Sequence, residues 1–461
     1  MSVPVRRDRW NVQASDIARN THNPIRSIVE SLVVEPNPTK SVISLSIGDP
    51  TTFGNLRPPK EVIDAVQQSL VSQLYNGYAP STGTINVHKN FPLSGNVEPD
   101  LVCHQKAREA VAEYSSSEFA KVDAKDVILC SGCSCALDLC ITALARRGQN
   151  ILIPRPGFSI YRTLAEGLGI NVKSYELRVS TNYPAMFFFY SCFFSTGDKY
   201  PFHSYKLSDI LDVAARYYIP IIADEIYEHM VFPGRTFHSL ASLSREVPIL
   251  SFLVPGWRMG WIIIHDRQNV LEKEIRKALH CLSQRIIGSN TLIQGALPAI
   301  LKNTPQEFYD DVMKTLHDHS RAAYNCVMKI PGLKPIVPDG AMYMMVRTSD
   351  SNETHSPRNE SRKLAKFRKV ETTDPPSEHL PCFPEFNSDL EFVQRLLMEE
   401  SVFCLPGQCF DYPSYMRLVI TVPVDMLEEA CQRIQEFCER HHYKTAENTQ
   451  RNNLATVDIP Y

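Results

Sequence analysis

Four stretches of the sequence concentrate groups that could hold an anion and a charged ring. Leu129 to Ala136, LCSGCSCA, sets small and hydroxyl residues between an apolar run and a helical pattern. Backbone amides at a helix start, with little side-chain bulk around them, suit a phosphate. The thiols of Cys130, Cys133 and Cys135 offer a rival reading as metal ligands, but no second Cys or His pair at ligand spacing follows, so no metal site is expected. In Ile221 to Tyr227, IIADEIY, an apolar strand ends in two carboxylates and a tyrosine. An Asp at a buried strand end needs a cationic partner, and a protonated pyridine nitrogen would supply one. Val254 to Trp261, VPGWRMGW, places Arg258 among small and aromatic residues, again suited to a phosphate. Phe158, in PRPGFSIY, follows a strand, where its flat ring could stack on an aromatic cofactor or simply pack.

These residues need a frame. From residue 126 apolar runs alternate with helical patterns. Strands are expected at Asp126 to Cys130, Asn150 to Ile153, Ile170 to Leu177, Ile219 to Ala223, Pro248 to Phe252 and Gly260 to His265. Helices are expected at Cys135 to Arg147, Ser159 to Gly167 and Leu207 to Tyr217. Near-continuous apolar strands in such alternation predict an α/β fold with a mostly parallel sheet sandwiched by helices. Ligands of such sheets bind at the carboxyl ends of strands, which is where the stretches above fall. Long helical patterns follow at Asn269 to Arg285, Thr291 to Lys302 and Pro305 to Lys329. Short strands at Met342 to Val346 and Met416 to Thr421, with helices at Asn387 to Glu400 and Val424 to His441, predict a smaller α+β domain. The organisation expected is an N-terminal arm over 1–40, a small domain from 41–75 and 331–443, a large domain over 76–330 and a disordered tail over 444–461. Residues 84–105 and 181–202 carry no period, and 347–384, rich in Ser, Glu, Lys and Pro, is expected to be a disordered insertion.

The whole chain has 461 residues, 43% hydrophobic and 21% charged, enough for a sizeable core. A net charge of −3 gives no electrostatic reason to expect nucleic acid. Thirteen scattered cysteines fit free thiols in a reducing, cytoplasmic setting better than a disulfide framework. No apolar run approaches the ~18 residues of a membrane helix, and none follows the basic N-terminus as a secretory signal would.

SLSIGDPT (Ser44 to Thr51), YNGYAPSTG (Tyr75 to Gly83), SGCS, PRPGFSIY, ADEIY, VPGWRMGW and RLVITVP (Arg417 to Pro423) occur in that order. In this the chain resembles the class I aminotransferases, and its wording looks most like the tyrosine aminotransferases. The resemblance spans about residues 10–83, 106–178, 207–346 and 383–442. It implies the type I aminotransferase fold, a homodimer with shared sites, and transfer of an amino group from L-tyrosine or another aromatic amino acid to 2-oxoglutarate through pyridoxal phosphate. By the same resemblance the cofactor phosphate would sit on Gly132, Cys133, Ser134 and Arg258, with Tyr78 reaching the site of the partner subunit. Phe158 would stack on the ring, Asp224 would keep its nitrogen protonated, and Tyr227 would hydrogen-bond its phenolic oxygen. Arg417 would clamp the substrate carboxylate, and Gly48 would let backbone approach it.

The chain departs from that pattern in two places. Relatives carry the Schiff-base lysine in a short run immediately before the arginine motif; here Ser251-Phe252-Leu253-Val254-Pro255 joins directly, and no lysine lies between Lys206 and Lys273. The missing run of about seven residues would span roughly 20 Å extended, so neighbouring segments cannot stretch to replace it. Lys273 falls on a helix beyond the next strand and reads as a solvated residue. The Asn-Pro segment expected before ADEIY is also absent, and Asn182 stands in the wrong context to replace it. Two abrupt losses and two aperiodic insertions have the character of a coding sequence with segments skipped and intervening sequence translated. The competing expectation is a non-catalytic, cofactor-binding protein of the same fold.

Overall fold

Among the residues described by the computed structural model, thirteen strands form three sheets. Those residues are 13–31, 34–46, 48–49, 53–78, 102–177, 190–195, 207–244, 249–252, 257–348 and 380–443. The strands are β1 (Ile43–Ser44), β2 (Val127–Cys130), β3 (Asn150–Arg155), β4 (Asn171–Glu176), β5 (Tyr190–Ser195), β6 (Ile221–Asp224), β7 (Ile249–Phe252), β8 (Gly260–His265), β9 (Lys334–Pro335), β10 (Tyr343–Arg347), β11 (Val402–Phe403), β12 (Leu405–Pro406) and β13 (Tyr415–Val419). The large sheet has the order β2-β8-β7-β6-β5-β3-β4. Its neighbour pairings run β2, β7, β6, β3 and β4 in one direction and β8 and β5 in the other. The carboxyl ends of β2, β3, β6 and β7 therefore share one edge.

Strands buried on both faces need no polar alternation, and β2 (VILC) and β6 (IIAD) are buried throughout. Alternate residues serve opposite faces. Ile128, Ile222, Ile262 and Ile264 pack with Ala136, Leu137, Ile141 and Tyr161 of helices Cys133–Leu144 and Ser159–Gly167. On the other face Val127, Leu129, Trp261 and Ile263 meet Val111 of helix Val102–Ser115 and Ile293 and Leu297 of helix Thr291–Asn303. The layered α/β reading of the sequence thus holds.

A second core joins Ile43, Leu45 and Leu56 to Met344 and Val346 of β10, Met416 and Leu418 of β13, and the inner faces of helices Asp389–Glu400 and Val424–His441. Leu316, Ala323 and Val327 of helix Gln306–Val327 belong to the same core. Ala341 donates its amide to the Met230 carbonyl at 2.8 Å, and Phe232 donates to Asp339 at 2.9 Å, bringing β10 beside the turn after β6.

Two elements differ from the sequence reading. The single helix expected over Asn269 to Arg285 is a π-turn at Glu272–Arg276, an α-helix at Lys277–Ser283 and a 3₁₀ turn at Gln284–Ile286. Asn269 has φ of 55°, the Asp266 carboxylate takes the amides of Val270 and Leu271, and Ile287 has φ of 57°, so both ends are set by turns that helical periodicity does not encode. Within 181–202, read as aperiodic, residues Tyr190–Ser195 form β5 between β3 and β6. The remainder of that stretch, residues 79–101, the 349–379 part of the expected insertion and the tail from 444 lie outside the described residues.

Candidate active site

At the carboxyl end of β2 the chain turns at Gly132, whose φ of 80° and ψ of 169° stop the strand and start helix Cys133–Leu144. The amides of Cys135 and Ala136 bond the Gly132 carbonyl at 3.1 and 3.2 Å. Those of Cys133 and Ser134 sit ahead of the helix's own carbonyl ladder and remain donors for an anion. Over this turn lies Arg258, held in the left-handed region at φ 57°. Its Nη2 donates to the Ser131 carbonyl at 2.7 Å, while the residue as a whole is exposed. Contact this close requires glycine: a Cβ on Gly132 would lie 2.9 Å from Arg258 Cζ, and one on Gly260 would lie 2.8 Å from the Gly132 carbonyl carbon. Gly132 and Cys133 are buried, whereas Ser134 is exposed on the first helical turn.

Beside this cradle β6 ends in Asp224, 5% exposed. Tyr161 donates its hydroxyl to Oδ2 at 2.7 Å and the Ile226 amide donates to Oδ1 at 3.4 Å. Burial raises the Asp224 carboxyl to about 6, opposed by those two bonds. Among the described residues no Lys or Arg pairs with it, so this buried carboxylate is short of the cation it calls for. Glu225 has a structural task instead: it accepts from the Leu240 amide at 2.8 Å and Ser239 Oγ at 2.9 Å, and burial raises it to about 7. Phe158 is half-buried at the start of helix Ser159–Gly167, its ring edge-on to Tyr161 with centroids 5.9 Å apart.

Tyr227, on the turn after β6, receives a hydrogen bond from the Tyr343 hydroxyl of β10. Burial pushes its phenol up; Tyr343 and Arg417 pull it down, and Asp224 and Cys133 push it further up. All four neighbours are thus within electrostatic reach of one hydroxyl. Arg417, mid-strand in β13, donates Nη2 to the Ser46 carbonyl at 2.8 Å. Its guanidinium carbon lies 4.8 Å from the ring centres of both Tyr343 and Phe410. Arg417 Nε is buried with no hydrogen-bond partner among the described residues. An unmet buried donor costs about 1–3 kcal/mol, which a carboxylate arriving at this guanidinium would recover.

Of the residues singled out in the sequence, Gly132, Cys133, Ser134, Phe158, Asp224, Tyr227, Arg258 and Arg417 gather along this edge and the facing β10–β13 layer. Gly48 is exposed, with its missing Cβ 3.5 Å from Met342 Sδ, one residue before Tyr343. Tyr78 is 89% exposed. Tyr161, Tyr343 and Phe410 were missed. Tyr161 stood inside PRPGFSIY and was read as a helix residue, and nothing in the sequence brings Tyr343 or Phe410 to Arg417. Lys273 is exposed on its π-turn. The described residues contain no cluster with metal-ligand geometry and no helix long and apolar enough to cross a membrane.

These residues fit pyridoxal phosphate: an anion seat, a buried carboxylate lacking a cation, a flanking aromatic ring and a phenol converge. Comparison with known proteins gives the family. The family model for aminotransferase class I and II matches residues 40–434. Tyrosine aminotransferase of Mus musculus is 46% identical over 464 aligned positions, covering 96% of this chain and 91% of that protein. Its counterpart from Caenorhabditis elegans is 36% identical, covering 96% and 88%. The crystal structure of tyrosine aminotransferase from Leishmania infantum superposes with a TM-score of 0.74 at 26% identity, covering 94% of this chain and all of that one. The chain therefore belongs to the class I and II aminotransferases, the pyridoxal-phosphate-dependent transaminases of the type I fold.

Proposed function

We propose that this chain carries the recognition apparatus of a tyrosine-type transaminase, for L-tyrosine or another aromatic amino acid and 2-oxoglutarate, around a pyridoxal phosphate held without a covalent anchor. The observation that carries the reading is the pairing of two needs unmet among the described residues, 193 residues apart in sequence: the Asp224 carboxylate without a cation and Arg417 Nε without an acceptor. A protonated ring nitrogen satisfies the first and a substrate carboxylate the second. The names of the relatives, tyrosine aminotransferases across 91% and 88% of their lengths, support the aromatic substrate.

Pyridoxal phosphate, when bound, supplies an electron sink for the carbanion left at the amino acid's α-carbon. The chain's own groups do the rest. The Cys133 and Ser134 amides and Arg258 bind the phosphate over Gly132. Phe158 flanks the ring, Asp224 holds a proton on its nitrogen, and Tyr227 donates to its phenolic oxygen. Arg417 clamps the carboxylate in the two-point fashion that suits a guanidinium, and Gly48 leaves room beside it. Tyr78 serves the site of a second copy. The exposed Leu70, Val71 and Leu74 leading up to it give a homodimer an apolar surface to bury. With free thiols throughout the described cysteines, a cytoplasmic setting suits the chain.

Moving a proton at the α-carbon needs a base that doubles as the covalent anchor, and residues 207–272 contain no lysine. That absence favours a second reading, a non-catalytic member that binds cofactor and amino acid. The discriminating experiment is a transamination assay with L-tyrosine and 2-oxoglutarate beside equilibrium dialysis with pyridoxal phosphate. Binding without turnover supports the non-catalytic reading, and turnover of L-tyrosine defeats it in favour of a working transaminase. Failure to bind the cofactor at all defeats both.

A further inference from the structure

The turn that carries Phe410 is fastened to the helix that follows Phe158, and the site described above uses none of the fastenings. The 3₁₀ turn Gly407–Phe410 precedes β13 and sets the Phe410 ring 4.8 Å from the Arg417 guanidinium carbon. At its start the buried Asp389 carboxylate accepts from the Gln408 amide at 2.9 Å and from Gln408 Nε2 at 2.6 Å. At its end Asp411 has φ of 56°, and its amide bonds the Gln408 carbonyl at 3.2 Å. The Tyr412 amide returns to the Gly407 carbonyl at 3.0 Å. The turn is tied at both ends, so what moves Asp411 moves Phe410 with it.

Two bonds join this piece to the start of helix Ser159–Gly167. The Phe410 carbonyl accepts the amide of Gly157, the residue before Phe158, at 3.3 Å. Further along the helix Arg162 donates Nη2 to Asp411 Oδ2 at 3.0 Å, while its Nη1 pairs with Glu166 of its own helix. The N-terminal segment covers the same junction. Thr163 donates its hydroxyl to the His22 carbonyl at 2.7 Å, and Ile25 and Ile28 of helix Pro24–Ser31 pack on Cys409 and Phe410. Consecutive links therefore run from Phe158 through Gly157 to Phe410 and on to Arg417. The Arg162 and Asp411 side chains are 29% and 49% exposed, and an ion pair so exposed contributes little to folding. Its leverage is geometric: it fixes the turn that backs the Arg417 fork, as groups behind a binding residue do.

We propose that Arg162 and Asp411 are positioning residues: their ion pair, acting with the Gly157–Phe410 bond, sets the spacing between the ring seat at Phe158 and the carboxylate fork at Arg417. A substrate held by that fork must also present its α-carbon to the cofactor, so this spacing decides how well both contacts are made at once. The inference deepens the proposed function and rests on the substrate role given there to Arg417; the junction itself does not.

The test is a double-mutant cycle in the full-length chain, with Arg162→Gln, Asp411→Asn and the two together. Pyridoxal phosphate affinity is measured by equilibrium dialysis, and L-tyrosine affinity of the loaded chain by calorimetry. Hydrogen exchange of a peptic peptide containing the Gly157 amide is followed in the cofactor-free chain. Each single variant should bind L-tyrosine about two- to fivefold more weakly, the range an exposed pair commands, and the double variant no more weakly than either. The gap from the parent should close at high salt, where exposed pairs are screened. Pyridoxal phosphate affinity should stay at the parent's value, and exchange at Gly157 should quicken in all three variants. Additive losses, an unchanged L-tyrosine affinity or an equal loss of cofactor affinity would overturn the positioning role. Unaltered exchange at Gly157 would overturn the junction as its route. A parent chain that takes up no pyridoxal phosphate defeats the proposed function and the substrate role with it, and the exchange result then judges the junction by itself.

Discussion

The Arg417 guanidinium lies 4.8 Å from the centre of the Tyr343 ring, and the hydroxyl at the far end of that ring bonds Tyr227. One tyrosine thus spans from the residue expected to take the substrate carboxylate to the one expected to take the cofactor's phenolic oxygen. Its ring face attracts the cation, and its hydroxyl favours the Tyr227 phenolate.

Replacing Arg417 by lysine keeps the charge but loses the planar fork and the two ring contacts. Affinity of the cofactor-loaded chain for L-tyrosine should fall on the order of tenfold to a hundredfold, the span of a charge-assisted pair. Calorimetric titration measures this directly, and an unchanged affinity would remove Arg417 from substrate binding.

Tyr343→Phe keeps the ring beneath Arg417 and deletes the hydroxyl. Because the Tyr343 bond lowers the Tyr227 phenol against burial, Tyr227 should ionise at higher pH in this variant. A tyrosinate absorbance titration, with Tyr227→Phe as the reference that lacks the signal, reads the shift. A shift to lower pH would contradict the geometry.

Asp224 carries a stability signature. Its folded carboxyl titrates at about 6 against 3.8 for the free group, so the ionised form is disfavoured by folding. The penalty is absent below about pH 4, grows between 4 and 6, and is fully present above. Asp224→Asn should therefore make the cofactor-free chain more stable at pH 7, by up to a few kcal/mol, with the gain fading toward pH 4. The same variant should bind pyridoxal phosphate more weakly. Chemical denaturation across that pH range reports the first effect; a gain independent of pH would mean that Asp224 is not penalised.

Gly132→Ala places a Cβ 2.9 Å from the Arg258 guanidinium at φ 80°, and Gly260→Ala places one 2.8 Å from backbone. The first should cost about 1–3 kcal/mol for a positive-φ, extended backbone that essentially only glycine adopts, and displace a flexible side chain. The second has only backbone to move and should cost more. Thermal melts rank them, and the reverse order would argue against the close approach of β8 to this turn.

Much of the frame was legible because it is local. Helix Ser159–Gly167, helix Val424–His441 and strand Gly260–His265 lie where periodicity and apolar runs put them. The cradle residues are read as a phosphate seat from the ordered family motifs, since such turns are common alone; the structure lays Arg258 over Gly132. What stayed hidden was tertiary. Tyr161 and Asp224 are 63 residues apart and meet only when a helix packs on the sheet. Tyr343 reaches Arg417 through the pairing of β10 with β13, in which Met345 faces Arg417. The 186–194 aromatic run showed no alternation, yet part of it forms the interior strand β5, a position that asks for none.

On the proposed function, this chain holds pyridoxal phosphate without a covalent bond. The full-length protein, saturated with pyridoxal phosphate and treated with sodium borohydride, should show an unchanged intact mass after denaturation, while dialysis before reduction shows bound cofactor. A stable phosphopyridoxyl adduct on a lysine, accompanied by turnover of L-tyrosine with 2-oxoglutarate, would contradict the account.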